Sequence, residues 1–224
     1  MKYTKYVFVI LLSLVIMISG GVNALAMETG FSTEEMSQES IDNLLENIDL
    51  TFLTTDDPRK GLIDSFDVSE TGMVAISHNR IHGRDNIFVY NSEGEFQYGY
   101  SLDAAGMVWV EFDNDNLIIY FVRSEIVISV DSNGEVQSVL DTLDTEENEE
   151  HLKYLSYLRE KMVGDTKYSL EGFLFYTKVI ATDASGEETV IYDATVEVLI
   201  DASVIAGIFL IGGIYVHKKT KRSK

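Results

Sequence analysis

The sequence predicts a mainly β protein, built as an antiparallel meander of about three blade-like hairpin repeats with one or two short helices and a C-terminal transmembrane helix. Three observations carry this prediction. From Leu62 onward, apolar and polar residues alternate with a period of two, which is typical of strands. Turn sequences rich in Gly, Asn and Asp separate the alternating segments. Two apolar segments lie near the ends of the chain, each with lysines on its outer flank.

Residues 1–26 have the order of a secretory signal peptide. Lys2 and Lys5 precede an apolar core, and the small-residue sequence ending at Ala26 follows it. The core is shorter than the ~20 residues that a membrane-spanning helix needs. We therefore expect cleavage after Ala26, with retention as a second membrane anchor as the alternative.

Residues 27–60 are predicted to form an acidic tether that contains a short amphipathic helix. Four apolar residues in this segment follow the i, i+3, i+4, i+7 spacing of one helical face: Ile41, Leu44, Leu45 and Ile48. The spacing predicts a helix from about residue 33 to residue 48, packed on the β region that follows.

Residues 61–194 are predicted to form an extracellular β domain. Eight segments alternate and are rich in aromatic and β-branched residues: 62–69, 72–79, 85–91, 95–102, 106–112, 116–122, 125–130 and 135–140. The sequences 69–72, 91–94, 113–116 and 131–134 between them are suited to turns. A chain without cysteine must hold such a domain together by burial alone.

A sequence repeat runs through this domain. VYNSEGEF at 89–96 recurs as SVDSNGEV at 129–136 and more weakly as ATDASGEE at 181–188. Four strands in about 40 residues is the size of a propeller blade, and over about residues 61–194 the chain resembles the blades of β-propeller proteins of the loose NHL or WD type. The resemblance implies four-stranded antiparallel repeats, although the WD dipeptide is absent. Because propellers have four or more blades, we expect an incomplete propeller or one open sheet.

A helix is predicted between the second and third repeats, over residues 145–163. Acidic residues after Thr145 suit the positive end of a helix, and Gly164 is suited to its C-terminal cap. The apolar stripe of this helix consists of Leu152, Leu155, Leu158 and Met162.

The C-terminal part predicts a single membrane anchor. Residues 199–216 are long and apolar enough for a transmembrane helix, and the basic tail 217–224 favours a cytoplasmic C-terminus. A buried helix of a soluble protein is the alternative. The arrangement resembles membrane-anchored surface proteins of Gram-positive type, which implies location in the cell membrane with the β domain outside.

Charge excludes one class of partner. The chain carries 37 acidic and 17 basic residues and a net charge of -20. Nucleic-acid binding requires basic groups that neutralise phosphates, so we expect no nucleic-acid partner.

The loop between the second and third predicted strands is the first candidate binding region. His78, His82 and Asp85 offer nitrogen and oxygen ligands there, but zinc would need three or four converging ligands, and Gly83 indicates a turn. We expect a protruding polar loop and no metal site.

Two acidic turns are the second candidate region. Asp113 and Asp115 in one turn, and Asp131 in another, offer oxygen ligands of the kind that calcium accepts. Neither turn has the spacing of an EF-hand, so turn formation is the expected role.

Aromatic residues are the third candidate. Phe96, Tyr98, Tyr100 and Leu102 alternate on one strand, and Trp109 lies on the next. An exposed aromatic face could stack on sugar rings, whereas the more ordinary interpretation is a core face.

No catalytic motif is present: the sequence contains no nucleophile elbow, no thiol and no phosphate-binding glycine loop. We therefore expect a non-enzymatic binding module without a cofactor, which contacts a protein or the cell wall through the loops 78–85 and 111–116. The alternatives are an accessory or sensory subunit of a membrane complex and a cell-wall carbohydrate binder.

Overall fold

The structure is a computed structural model that describes residues 27, 29–56, 60–79, 84–114, 116–172 and 175–204. The predicted signal peptide, the basic tail and residues 205–216 of the predicted transmembrane segment lie outside the described residues. Over the described part of the chain the protein is mainly β, as predicted, with fourteen strands and three short helices. Within those residues, no helix is both long and apolar enough to cross a membrane.

The strands form three antiparallel sheets, in each of which four strands follow one another along the chain. Two short strands precede them, β1 (Thr33–Glu35) and β2 (Thr51–Leu53). Sheet 1 contains β3 (Leu62–Val68), β4 (Val74–Asn79), β5 (Asp85–Tyr90) and β6 (Phe96–Leu102). Sheet 2 contains β7 (Val108–Asp113), β8 (Asn116–Phe121), β9 (Ile126–Val130) and β10 (Val136–Thr142). Sheet 3 contains β11 (Glu160–Val163), β12 (Thr166–Glu171), β13 (Lys178–Thr182) and β14 (Glu188–Asp193).

The eight predicted strands of sheets 1 and 2 are confirmed, and so is the arrangement in about three repeats. The alternative of one open sheet is wrong, because the meander breaks twice. Strand β2 pairs with the outer edge of β6, and β1 pairs with the outer edge of β10. With those edges occupied, the next strand along the chain cannot extend the sheet and starts a new one.

Sheet 1 is the middle layer of a stack. One of its faces packs on sheet 2 through residues such as Ile87 and Tyr100 against Leu117 and Ile128. Its other face packs on sheet 3, where the buried residues include Phe66, Ile76 and Phe88 of sheet 1 with Tyr168, Val179 and Tyr192 of sheet 3. The alternation of apolar residues on both faces of sheet 1 therefore reflects burial on both sides.

Helix α1 (Gln38–Ile48) is shorter than predicted. It begins after Ser37, whose hydroxyl accepts a hydrogen bond from the Ser40 N–H. Residues 33–35, which were predicted to be helical, pair with β10 instead. The apolar face of α1 packs, as predicted, against the core between sheets 1 and 2.

Helix α2 (Glu146–Tyr157) begins after Thr145 as predicted, with the Thr145 hydroxyl accepting from the Asn148 N–H at 3.2 Å. It packs on the outer face of sheet 2, where Leu155 contacts the cluster around Trp109 and Tyr120.

The predicted end of α2 at residue 163 is wrong. Residues 160–163 form β11, and Gly164 lies in the turn to β12 with φ +57° instead of capping a helix. Met162 is accordingly 61% exposed on a strand. Pairing with β12 outweighs helix extension here because Leu158, the next residue of the predicted stripe, packs into the core shared by sheets 1 and 3.

The sequence repeat corresponds to one turn used three times. Asn91, Asp131 and Asp183 each begin a turn in which their Oδ1 atom accepts hydrogen bonds from the N–H groups two and four residues later. A glycine with positive φ, at 94, 134 or 186, occupies the fourth position of each turn. The weakest sequence match, at 181–188, is thus a full structural repeat.

The first strands of the three sheets run in the same direction, so the molecule has two distinct ends. The side chains of Ser65 and Asp67 on β3 accept hydrogen bonds from the N–H groups of Val110 and Phe112 on β7, which shows that the two strands run in parallel. All hairpin turns within the repeats therefore cluster in two sets. We name the end with the turns 69–73, 91–95, 113–116, 131–135, 164–165 and 183–187 the turn end. The opposite end, where β14 leads into helix α3 at residues 195–204, is the helix end.

Candidate functional site

A cleft opens at the turn end, where the first strands of the three sheets finish. Its volume is about 570 Å³, and it lies between the turns that follow β3, β7 and β11. Apolar side chains of Phe112, Met162 and Val163 line it together with the polar residues Glu70 and Asp113. Three sheets therefore contribute to a single concave surface.

Asp67 fixes the geometry beneath this cleft. Its side chain is buried, and its Oδ2 atom accepts a hydrogen bond of 2.8 Å from the Phe112 N–H. Lys161 of β11 approaches the other carboxylate oxygen, with Nζ at 2.5 Å from Oδ1. One carboxylate thus joins β3, β7 and β11, each of which is an edge strand of its sheet.

The carboxylate of Asp67 provides a hydrogen-bond acceptor for a strand at the edge of its sheet. Strand β7 is the edge of sheet 2, so its outward N–H groups have no partner within that sheet. Ser65 and Asp67 supply acceptors for two of these groups, and the Ser77 hydroxyl donates to the Val108 carbonyl at 2.6 Å. Buried backbone groups are satisfied by side chains of the neighbouring sheet.

Burial raises the pKa of Asp67 above its ordinary value, and Lys161 and the Phe112 N–H oppose the rise. The carboxylate oxygens both have partners within the fold, which suits a structural role. The chemistry left for a ligand is that of the cleft itself: an apolar wall with the carboxylates of Glu70 and Asp113 around it and the partly exposed ammonium group of Lys161, which is paired with Asp67, in its lining.

The predicted site residues are divided between the two ends. Asp113 lies at the cleft, where its Oδ1 atom accepts from the Asn114 side-chain amide at 2.8 Å. His78 and Asp85 lie on β4 and β5 next to the loop at the helix end, and His82 and Asp115 lie outside the described residues. His78 and Asp85, which flank the first predicted contact loop, therefore lie at the opposite end of the sheets from Asp113 of the second.

His78 is not on a protruding surface. It is fully buried between sheets 1 and 3, with its ring centroid 4.8 Å from that of Phe88 and 5.8 Å from that of Tyr192. Among the described residues no group of three or more metal-binding side chains is found. His78 is a core residue of the interface between the two sheets.

Both aromatic residues proposed for sugar stacking are buried, Tyr98 at 8% and Trp109 at 7% exposure. Tyr98 packs between sheets 1 and 2, and Trp109 packs under α2. Phe96 does not share the face of Tyr98, because a bulge in the pairing of β5 with β6 turns it toward sheet 3. The exposed aromatic face that a sugar platform requires does not form from these side chains.

Near the predicted loop, the carboxyl group of Asp85 has a pKa well above its ordinary value. Burial raises the pKa of Asp85 to about 6, and the carboxylate of Asp103 adds to the rise while the Ala104 N–H opposes it. An acid with a higher pKa in the folded protein binds its proton more tightly when folded. Its contribution to stability is therefore lost as the pH rises from 3.8 to about 6.

Replacing Asp85 by asparagine is expected to raise the free energy of unfolding by about 1 kcal/mol at pH 7.5, a value that allows for solvent screening of a half-exposed carboxyl. At pH 3 the same variant should match the parent. Urea titrations at both pH values measure the difference. Asp103→Asn should also raise the free energy of unfolding at pH 7.5, but by less than Asp85→Asn does. An equal loss of stability at both pH values would show that the hydrogen bonds of Asp85 outweigh its charge.

Sequence reasoning missed Asp67 and Lys161. Asp67 stands between the apolar residues Phe66 and Val68, which is a signal for a buried polar group with a partner. The partner is 94 positions away, and no local pattern indicates it.

No family model matches the chain, and no curated protein matches it. Among solved structures, the chain is similar to Sqt1 of Saccharomyces cerevisiae with a TM-score of 0.29 and 18% sequence identity. The match covers 58% of this chain and 31% of Sqt1, so the chain spans about a third of the length of that protein. A similarity this distant carries no argument about the fold. The architecture of the three sheets is established by the strand pairing within this chain.

Proposed function

We propose that this chain is a non-enzymatic interaction module of the cell surface, anchored by one transmembrane helix over residues 199–216, with the tail 217–224 in the cytoplasm. In this proposal the cleft at the turn end binds a protein partner. The observation that carries the proposal is the position of the cleft: three sheets build it at the end opposite α3. A partner reaching the molecule from outside would meet this end first.

The charge around the cleft indicates the chemistry of the partner. Every turn at the turn end carries an acidic residue, and none of the six turn sequences contains lysine or arginine. The acidic residues of these turns within the described part of the chain are Glu70, Glu93, Glu95, Asp113, Asp131, Glu135, Asp165, Asp183 and Glu187. Such a surface attracts a basic segment and repels an acidic one. We therefore propose a basic peptide segment that places an apolar side chain against Phe112 and Met162.

Site-specific photocrosslinking in intact cells tests this proposal. A photoreactive residue replaces Asn114 at the cleft, and a matched control replaces Tyr157, which is 71% exposed on α2. A C-terminal tag recovers the full chain with its adducts. We expect a defined protein adduct from position 114 that is absent from position 157. Identical adducts from both positions, or none from position 114, would contradict the proposal.

A second candidate, an accessory subunit of a membrane complex, is favoured by α3. Its side chains Val196, Leu199, Ile200 and Val204 are each more than half exposed and lie along one stripe. A photoreactive residue at Val204 tests this candidate, because an accessory subunit would give a membrane-protein adduct there and none at position 114.

A further inference from the structure

We infer that the helix end of the three-sheet body rests on the surface of the lipid bilayer, with Met107 and Phe175 among the headgroups. This inference rests on the proposed membrane anchor and adds an orientation to it. A single anchor through a flexible joint would leave the body free to tilt. The described contacts instead attach the start of α3 to the body.

Helix α3 begins directly on the body. The Ala194 N–H donates to the Thr177 carbonyl at 2.8 Å, and the hydroxyl groups of Thr177 and Thr195 lie 3.1 Å apart. Val198, in the first turns of the helix, packs against the core between sheets 1 and 3. From residue 199 to residue 204 every side chain is exposed, so the helix then leaves the body. A bilayer that takes up residues 199–216 would therefore lie next to the helix end.

Large apolar side chains are exposed at this same end. Phe175 is 60% exposed in the connection between β12 and β13, which also supplies the Thr177 contacts to α3. Met107 is 50% exposed at the start of β7. The Tyr176 carbonyl accepts from the Ile63 N–H at the base of β3, which links the Phe175 connection to the middle sheet. Aromatic and apolar side chains of this kind gain free energy by entering the headgroup region.

Single-cysteine labelling tests the inference on the full chain, which contains no cysteine of its own. The variants Met107→Cys and Phe175→Cys place an environment-sensitive nitrobenzoxadiazole dye at the helix end. The matched controls Ser132→Cys and Ser185→Cys place it on exposed turns of sheets 2 and 3. Each variant is reconstituted in phosphatidylcholine vesicles containing phosphatidylglycerol, with and without a nitroxide on the lipid headgroup. Fluorescence of Trp109 before labelling confirms that each variant is folded.

We expect quenching by the headgroup nitroxide to be several-fold stronger at positions 107 and 175 than at positions 132 and 185. Equal quenching at all four positions, in a chain that floats with the vesicles, would overturn the orientation and leave the anchor intact. A blue shift at positions 107 and 175 without lipid quenching would assign that surface to a second copy of the chain and also overturn it. Failure of the chain to float with the vesicles would contradict the anchor itself.

Discussion

Replacing Asp67 by alanine is expected to lower the free energy of unfolding by about 3 kcal/mol. The substitution removes the acceptor of the Phe112 N–H and the partner of Lys161 at once. It also leaves space where the edge strands β3, β7 and β11 of the three sheets meet. The measurement is a urea titration of the purified chain, followed by the fluorescence of Trp109, the single tryptophan.

Two further variants identify the cause of that loss. Asp67→Asn keeps an acceptor for the Phe112 N–H and removes the cost of burying a charge, so we expect a loss of about 1 kcal/mol or less. Glu70→Ala, on the same cleft but exposed, should change the stability by less than about 0.5 kcal/mol. If Asp67→Ala proved as mild as Glu70→Ala, the carboxylate would not be the joint between the sheets.

Alanine substitutions of the three repeated turn glycines are expected to have unequal costs despite their equal conformations. Gly94, Gly134 and Gly186 have φ values of +80°, +92° and +84°. The left-handed conformation alone costs alanine about 1–2 kcal/mol, which is the whole effect expected at Gly186, where a Cβ would meet nothing within 4 Å.

At Gly94 a Cβ would lie 2.9 Å from the Val190 carbonyl oxygen, and that backbone belongs to the neighbouring sheet 3. We therefore expect Gly94→Ala to cost about 3 kcal/mol, because the backbone contact between sheets 1 and 3 must shift. Gly134→Ala should cost nearly as much as Gly94→Ala, because rotation of the Phe52 side chain can move its Cγ atom but not its Cβ atom, which would lie 2.9 Å from the new Cβ. Urea titrations of the three variants give the order directly. Equal costs would mean that the turns do not take part in packing between sheets.

The local structure of this protein was predictable because it depends on short-range patterns. The alternation in segments such as 116–122 and the glycine of each repeated turn predicted strands and joints within a few residues. The three-residue strands β1 and β2 carry no such pattern, and they form because they cover the exposed edges of β10 and β6. Those edges in turn decide that the meander splits into three sheets.

The candidate site was predictable only in part. Asp113 was identified from its turn sequence, and it does line the cleft. The order of the sheets, with sheet 3 packed back on sheet 1, depends on which faces fit together, and periodicity does not encode that choice. Lys161 was assigned to a helix, so its contact with Asp67 could not be anticipated.

The central position of sheet 1 has a consequence for the order in which the chain can fold. Sheets 1 and 2 are neighbours in sequence and in space, so they can associate as soon as both have been synthesised. Sheet 3 must instead return to the start of sheet 1, where the Tyr192 hydroxyl and the Gly61 backbone are joined across 131 positions. Contacts of such separation form slowly. Until sheet 3 arrives, the face of sheet 1 that carries Phe66, Ile76 and Phe88 is open to water, and the nascent chain is most prone to aggregation in that interval.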